Sequence, residues 1–301
     1  MKLRRRVESL PISVFSDVPL SNYTTWQVGG EANFFLLPEN LRQVSLALKL
    51  AETLELPWYP LGNGSNVLFP EEGYPGLVIK LGRNLSAVQQ NGSSVRVQSG
   101  APLGQLLQTA RRAGSNCFNF LYGIPGTVGG GIMMNAGAYG SQLSDHVKEV
   151  RYFDREGQLH SLRAGDCQFG YRTSLFQDSS AIIMDAEFEL TGSSDQSPLS
   201  DLKDMRNQAL PRKYPSAGCV FKNPPEEEVS AGELLDRSGC KGLRVGDAVV
   251  SSRHANFILN LGAARSGDIA SLIDIMRERV YKEFGITLVT EVDIASPQTT
   301  N

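Results

Sequence analysis

The chain reads as an α+β protein of three units, and three observations support this. Short runs in which apolar and polar residues alternate are interleaved with runs of helical spacing, with no internal repeat. Two glycine-rich stretches, 62–66 and 123–140, lie about sixty residues apart in the first half of the chain. The stretch Thr191 to Ser200, all turn formers except Gln196 and Leu199, acts as a linker that sets the C-terminal third apart. The expected units are 1–84, 85–192 and 200–301, and 301 residues provide ample material for buried cores.

In the first unit Ala32 to Leu37 is strand-like, and Asn40 can cap a helix carrying Leu41, Val44, Leu48 and Ala51 on one face. Trp58 to Leu61 predicts a short buried strand that runs straight into Gly62, and Leu77 to Leu81 predicts another. In the second unit Ser94 to Gln98 alternates around Val95 and Val97. A helical stripe of Leu103, Leu106, Leu107 and Ala110 is stopped by Gly114. Met184, Ala186, Phe188 and Leu190 alternate with Asp185, Glu187 and Glu189, which predicts a half-exposed strand. In the third unit Ile269, Leu272, Ile273, Met276 and Val280 trace a helix face that ends near Gly285. A final strand then carries Leu288, Thr290, Val292 and Ile294 on one face and Val289, Glu291 and Asp293 on the other.

Bulk properties narrow the function classes. A net charge of −3 gives no electrostatic case for nucleic acid or an anionic membrane. No run approaches the ~20 apolar residues of a membrane span, and the basic start lacks an apolar signal core. Cys117, Cys167, Cys219 and Cys240 show no paired spacing, so no metal site and no disulfide framework is expected. Reduced thiols fit a cytoplasmic protein.

The glycine stretches carry the chemistry. Seven of the eighteen residues from Gly123 to Gly140 are glycine, diluted by Ile132, Met133 and Met134 rather than by serine and charge, so this is no flexible linker. Such a segment lets backbone approach a large flat ligand and bind its oxygens through N–H groups, with a glycine-rich packing turn as the competing reading. Gly62, Asn63, Gly64, Ser65 and Asn66 follow a predicted strand, a geometry in which successive N–H groups, helped by the Ser65 and Asn66 side chains, can hold a pyrophosphate. A tight hairpin turn is the competing reading of that loop. The spacing is neither a Rossmann fingerprint nor a P-loop. Two such loops in adjacent units suit one extended dinucleotide lying between them.

The paired loops resemble the flavin-binding domain of the vanillyl-alcohol-oxidase type, in which two α+β subdomains cradle FAD. Within that superfamily the chain resembles the UDP-N-acetylenolpyruvoylglucosamine reductases. The motifs that carry this are Tyr23-Thr-Thr-Trp-Gln-Val-Gly-Gly30, Leu61-Gly-Asn-Gly-Ser-Asn-Val-Leu68, Gly123-Ile-Pro-Gly-Thr-Val-Gly-Gly130, Asn135-Ala-Gly-Ala138, Phe169-Gly-Tyr-Arg-Thr-Ser174, Ala217-Gly-Cys-Val-Phe-Lys-Asn-Pro224 and Ser252-Arg-His-Ala-Asn-Phe-Ile-Leu-Asn260. They run in order over about residues 17 to 294. The absence of an obvious insertion between Arg172 and Cys219 is similar to the compact second type of that family.

The resemblance implies non-covalent FAD held by Gly62, Asn63, Gly64, Ser65, Asn66 and Val67, and by Gly123, Ile124, Pro125, Gly126, Thr127, Gly129, Gly130, Asn135, Ala136, Gly137 and Ala138. It implies that NADPH reduces the FAD and leaves. The enolpyruvyl ether of UDP-N-acetylglucosamine then takes its place and is reduced to UDP-N-acetylmuramate, a peptidoglycan precursor. It leans to a monomer, with no nucleic acid or membrane partner.

By the same resemblance Arg172, Cys219 and Glu291 are the catalytic residues. A planar guanidinium suits the substrate carboxylate, where charge builds, and Phe169 and Tyr171 beside it predict partial burial. A surface salt bridge is the alternative for Arg172, and a solvated strand acid for Glu291. Cys219 departs from the family, whose usual residue there is a proton-donating serine; a protonated thiol can also donate, though the commonest fate of a free cysteine is a small buried hydrophobe. The resemblance gives substrate contacts to Tyr171 and Asn223. Arg212 and Lys213 suit the diphosphate or form a solvated basic pair, and His254 and Asn256 can line the substrate site, with a structural histidine the alternative for His254. In an extended segment Cys219, Phe221 and Asn223 share one face, opposite Lys222.

Two other readings compete. One is a flavin oxidase of the same fold acting on a hydroxy acid or alcohol. Many of those tether FAD to a histidine near the first loop, but no histidine precedes His146. The other is a non-catalytic flavin or nucleotide-binding module, whose flavin NADPH would not bleach.

Overall fold

The computed structural model describes residues 2–177, 179–190, 199–211 and 213–296. The first stretch contains α1 (Lys2–Glu8), β1 (Ser13–Pro19), β2 (Glu31–Leu37), α2 (Leu41–Thr53), β3 (Trp58–Leu61), β4 (Val67–Leu68) and β5 (Tyr74–Lys80). A four-stranded sheet runs in the order β1-β2-β5-β3, with β1 antiparallel to β2 and the other pairs parallel. The Asn40 side chain accepts from the Gln43 N–H at 3.1 Å and starts α2. This helix buries Val44, Ala47, Leu48 and Ala51 against Leu36, Leu77 and Ile79 of the sheet. β3 therefore ends where the first glycine loop begins.

Residues 88–189 contain β6 (Val88–Asn91), β7 (Ser94–Gln98), α3 (Leu103–Arg112), α4 (Val128–Met133), β8 (Gly137–Ala138), β9 (Ser141–Gln142), β10 (Val147–Phe153), β11 (Leu159–Arg163) and β12 (Ile182–Glu189). Five of these strands form an antiparallel sheet in the order β11-β10-β12-β7-β6. Leu106 and Leu107 of α3 and Val128 and Ile132 of α4 close one face over Val95, Val97, Val150, Ala186 and Phe188. β12 departs from the expected half-exposed strand, because its Asp185 is buried. Arg96 on β7 and Arg151 on β10 flank it, donating at 2.9 and 2.5 Å, and Arg96 also reaches Glu149 and Glu187. A charge removed from water is retained there by two guanidinium partners.

Residues 199–294 contain α5 (Leu199–Ala209), α6 (Ala231–Arg237), β13 (Arg244–Val245), β14 (Ala248–Val250), β15 (Ile258–Asn260), α7 (Ser266–Phe284) and β16 (Asp293–Ile294). α7 buries the predicted stripe and stops at Gly285, whose φ of 70° ends it in the left-handed conformation. Residues 191–198 of the predicted linker lie outside the described residues, and Leu199 and Ser200 already belong to α5.

The final strand is shorter than its alternation predicts. Phe221 bridges Thr290, and the Glu291 N–H donates to Val220 O at 2.7 Å; only Asp293–Ile294 forms a strand, parallel to β4. Val289 and Ile294 face solvent because the segment leaves the third unit to join the first. A second splice runs in the opposite direction. Trp26 is fully buried in the third core, its indole N–H donating to Ile258 O at 2.8 Å, while Asn260 Nδ2 donates to Trp26 O.

Candidate active site

The splices bring two walls together around a cleft of about 670 Å³. Gly62–Val67 and much of the second glycine stretch line one side. Arg172, Arg206, Cys219, Lys222 and Glu291 line the other.

The first loop is shaped by close approach. Gly64 has φ 62°, and a Cβ there would lie 2.0 Å from Tyr23 O; a Cβ on Gly62 would lie 2.6 Å from Thr127 Oγ1. Among the described residues, the N–H groups of Asn63, Gly64, Ser65 and Asn66 have no protein acceptor. Four donors in succession beside a glycine-lined cleft fit the pyrophosphate of FAD. The two side chains expected to help are engaged elsewhere. Ser65 Oγ donates to Pro125 O at 3.0 Å and ties the loops together, and Asn66 Nδ2 donates to Glu291 O at 3.0 Å.

The second stretch differs from the expected run of free N–H groups. Its middle is α4, capped by Thr127, with Val128 N donating to Ala101 O, Gly129 N to Ser99 O and Gly131 N to Thr127 O. A Cβ on Gly129 would lie 2.8 Å from Ser99, and one on Gly131 would lie 2.8 Å from Leu103 and Leu143. These glycines let a helix sit against its own core. Ile124, Pro125, Gly126, Thr127, Gly129, Gly130, Ala136 and Gly137 line the cleft, whereas Gly123, Asn135 and Ala138 do not. Gly123 makes a left-handed turn, Ala138 pairs in a hairpin, and Asn135 is buried.

The reacting corner is assembled from three distant segments. Gly170 and Thr173 exchange backbone hydrogen bonds, leaving Tyr171 and Arg172 at the tip of a tight turn. Arg172 Nε donates to Glu291 Oε1 at 2.9 Å and Nη2 to Gly137 O at 2.7 Å. Burial pushes the Glu291 carboxyl above the usual range, against the opposing pull of Arg172 and Lys222. Burial, and then the Glu291 charge, push the Cys219 thiol up to about 12, opposed by Arg172 and Arg206. Cys219 is thus a neutral S–H held beside an ion pair.

Several expected substrate residues are not brought to the cleft. Tyr171 is exposed, 49% accessible, with its hydroxyl accepting from Asn223 N. The burial expected of the Arg172 neighbourhood comes instead from Phe169, packed on the second core. Asn223 faces away and its Oδ1 accepts from Ala231 N at the start of α6. Asn256 is buried and pairs with both backbone groups of Phe221, at 2.9 and 2.8 Å. That pairing turns Phe221 into the core and Lys222 to the cleft, breaking the expected common face of Cys219, Phe221 and Asn223. His254 packs on Phe257 and α6, where burial and Lys241 lower its basicity. Lys213 is exposed and lies over the Tyr214 ring. Arg212 lies outside the described residues. Lys222 and Arg206 are the cations that sequence reasoning missed. Lys222 sits inside a recognised motif but was assigned to the wrong face, and Arg206 on α5 has no local signal.

Two family models match the chain. Residues 32–163 match the FAD binding domain family, and residues 210–295 match the UDP-N-acetylenolpyruvoylglucosamine reductase C-terminal domain. The chain is 38% identical over 288 residues to the UDP-N-acetylenolpyruvoylglucosamine reductase of Alkaliphilus oremlandii, covering 95% of this chain and 94% of that one. It is 35% identical to that of Carboxydothermus hydrogenoformans, covering 97% and 96%. The crystal structure of UDP-N-acetylenolpyruvylglucosamine reductase (MurB) from Thermus caldophilus superposes with a TM-score of 0.77 at 34% identity, over 95% of this chain and 99% of that one. No helix among the described residues is long and apolar enough to cross a membrane.

Proposed function

The chain belongs to the UDP-N-acetylenolpyruvoylglucosamine reductase family, and from this we propose how its cleft performs that family's reaction. The protein is an FAD-dependent, NADPH-consuming oxidoreductase of peptidoglycan precursor synthesis. It reduces the enolpyruvyl ether of UDP-N-acetylglucosamine to the lactyl ether of UDP-N-acetylmuramate. The observation that carries this is the junction of a glycine-built cofactor wall with the Arg172–Glu291 pair and the Cys219 thiol in one cleft. When bound, FAD supplies two-electron redox chemistry between NADPH and the enolpyruvyl group.

The chain's own residues do the rest. The N–H groups of Asn63 to Asn66 hold the FAD pyrophosphate. Arg172 takes the substrate carboxylate and stabilises the negative charge that builds on it during reduction, in a site sheltered from water. Glu291, through its bond to Arg172 Nε, fixes the guanidinium plane. Cys219 delivers the proton to the carbon that carries the ether oxygen, and its raised pKa keeps the thiol protonated and able to donate. Lys222 and Arg206, rather than Lys213, supply positive charge for the diphosphate. We place the protein in the cytoplasm as a monomer, where NADPH and nucleotide sugars meet. The three units, bounded near 84 and 192, correspond to two cofactor subdomains and a substrate domain.

The test follows the flavin absorbance without oxygen. NADPH bleaches the yellow enzyme, and UDP-N-acetylglucosamine enolpyruvate restores the colour. Bleaching without recolouring rejects the substrate assignment.

A further inference from the structure

Asn135 was expected among the cofactor contacts, yet its side chain is fully buried and does not line the cleft. It sits where α4 gives way to β8, at a φ of 42°. Its Nδ2 donates to Gly170 O and to Gln142 Oε1, both at 3.0 Å, and its Oδ1 accepts from Ser144 N at 3.0 Å. Gly170 is the residue that closes the Arg172 turn, and Arg172 itself is held at φ 54°. A non-glycine residue stays in the left-handed region only where its surroundings over-determine it.

We propose that Asn135 is a positioning residue for Arg172, locking the arginine turn to the end of the glycine stretch so that the guanidinium keeps a fixed place against the cofactor wall. A second clamp works in the same sense. Gln177 Nε2 donates to Arg172 O at 3.1 Å and to Met133 O at 3.1 Å, and Ser174 Oγ donates to Met133 O at 2.7 Å. From the turn, Arg172 Nη2 returns to Gly137 O, two residues beyond Asn135. The same short stretch therefore carries the cleft lining on its outer side and the arginine turn on its inner side. The proposal rests on the function assigned above for its kinetic arm only.

Aspartate at 135 keeps an acceptor for Ser144 N but sets a carboxylate oxygen against Gly170 O. Gln142 can turn its amide to donate, whereas a backbone carbonyl cannot. Asn135→Asp therefore breaks the bond to Gly170 O directly and otherwise re-orients only the Gln142 amide. The expected result is bleaching by NADPH within about threefold of wild type and recolouring slowed about 50-fold. Placed in an Arg172→Ala background, Asn135→Asp slows recolouring by less than about twofold further, because its effect passes through Arg172. Asn135→Ser, too small to clash, shows the same split if the aspartate variant folds poorly. Independently of turnover, the Arg172 Nε–H resonance, assigned by its loss in Arg172→Lys, is protected from solvent exchange in wild type and unprotected in both Asn135 variants.

Equal loss of both half-reactions, an undiminished effect in the Arg172→Ala background, or unchanged Nε–H protection overturns the proposal. Failure of the wild type to recolour would instead reject the substrate assignment, leaving the exchange measurement to decide the role of Asn135.

Discussion

The two sides of the cleft are built on different principles. The cofactor wall is backbone: free N–H groups at Asn63 to Asn66 and glycines where a Cβ would strike Tyr23 or Thr127. The reacting corner is side chain: a guanidinium, a carboxyl and a thiol from segments far apart in the chain, with Arg172 and Glu291 separated by 119 residues. A backbone wall binds without titrating, so it can hold one cofactor through both half-reactions. In the proposed reaction the corner discriminates, because only the sugar substrate needs its charge stabilised and a proton delivered. Substitutions at the corner should therefore separate the half-reactions, and substitutions in the wall should not.

The largest separation is expected at Arg172. On the proposed roles, Arg172→Ala removes the group that meets the building charge and leaves a half-buried Glu291 without that partner. Loss of one such stabiliser costs about 10³-fold in rate. Stopped-flow recolouring should fall by that factor while bleaching by NADPH stays near wild type. Comparable loss of both steps would mean that the corner also builds the cofactor site, and the contrast between the two walls would be wrong.

Gly64→Ala tests the other wall and should act on both steps together. The new Cβ falls 2.0 Å from Tyr23 O in a left-handed backbone, so the loop must shift away from Tyr23 and Thr24. A left-handed alanine alone costs about 1–2 kcal/mol, which is about a 10-fold loss of FAD affinity where the loop relaxes only in the empty state. Flavin released on dilution, followed by its fluorescence, measures it. Tight FAD binding with slowed recolouring would place Gly64 in the corner's work instead.

The same contrast governs what was legible in the sequence. Elements whose side chains point one way into one core were readable from periodicity, as in α2 with its Asn40 cap and α7 up to Gly285; β3 forms where expected, but only its Leu61 is buried, because its side chains divide between two clusters. The glycine stretches were readable as unusual, but glycine content does not say whether the missing Cβ makes room for a ligand or for the protein. Gly64 and Gly129 both line the cleft, yet in each the missing Cβ makes room for the protein itself, Tyr23 behind the first loop and Ser99 beneath α4. The corner was readable only through the family motifs, because no local pattern links Arg172, Cys219 and Glu291. Asp185 was misread as exposed because alternation cannot report that Arg96 and Arg151 would meet it from neighbouring strands. Asn256 and Asn223 were recognised as parts of motifs, but a motif does not distinguish touching substrate from bracing Phe221 or capping α6.

The smallest expected effect is an absence of pH dependence at Cys219. A proton donor works while it is protonated, so the recolouring rate falls only as pH rises through the thiol's own acidity constant. An ordinary cysteine at about 8.5 would lose about 10-fold in donor population between pH 8 and 9.5. Burial and the neighbouring Glu291 charge put this thiol at about 12. The rate should therefore stay level to pH 10 in wild type and in Cys219→Ser, whose hydroxyl is also neutral there. Alkylation by iodoacetamide reports the same quantity, since only the thiolate reacts; at pH 8 it forms about one part in 10⁴ of a thiol of this acidity. Slow labelling at Cys219 with a level profile supports a neutral donor beside the Arg172–Glu291 pair. An alkaline decline near pH 8.5 that disappears in Cys219→Ser would mean that Arg172 prevails over burial, and that the corner holds a thiolate unsuited to giving up a proton.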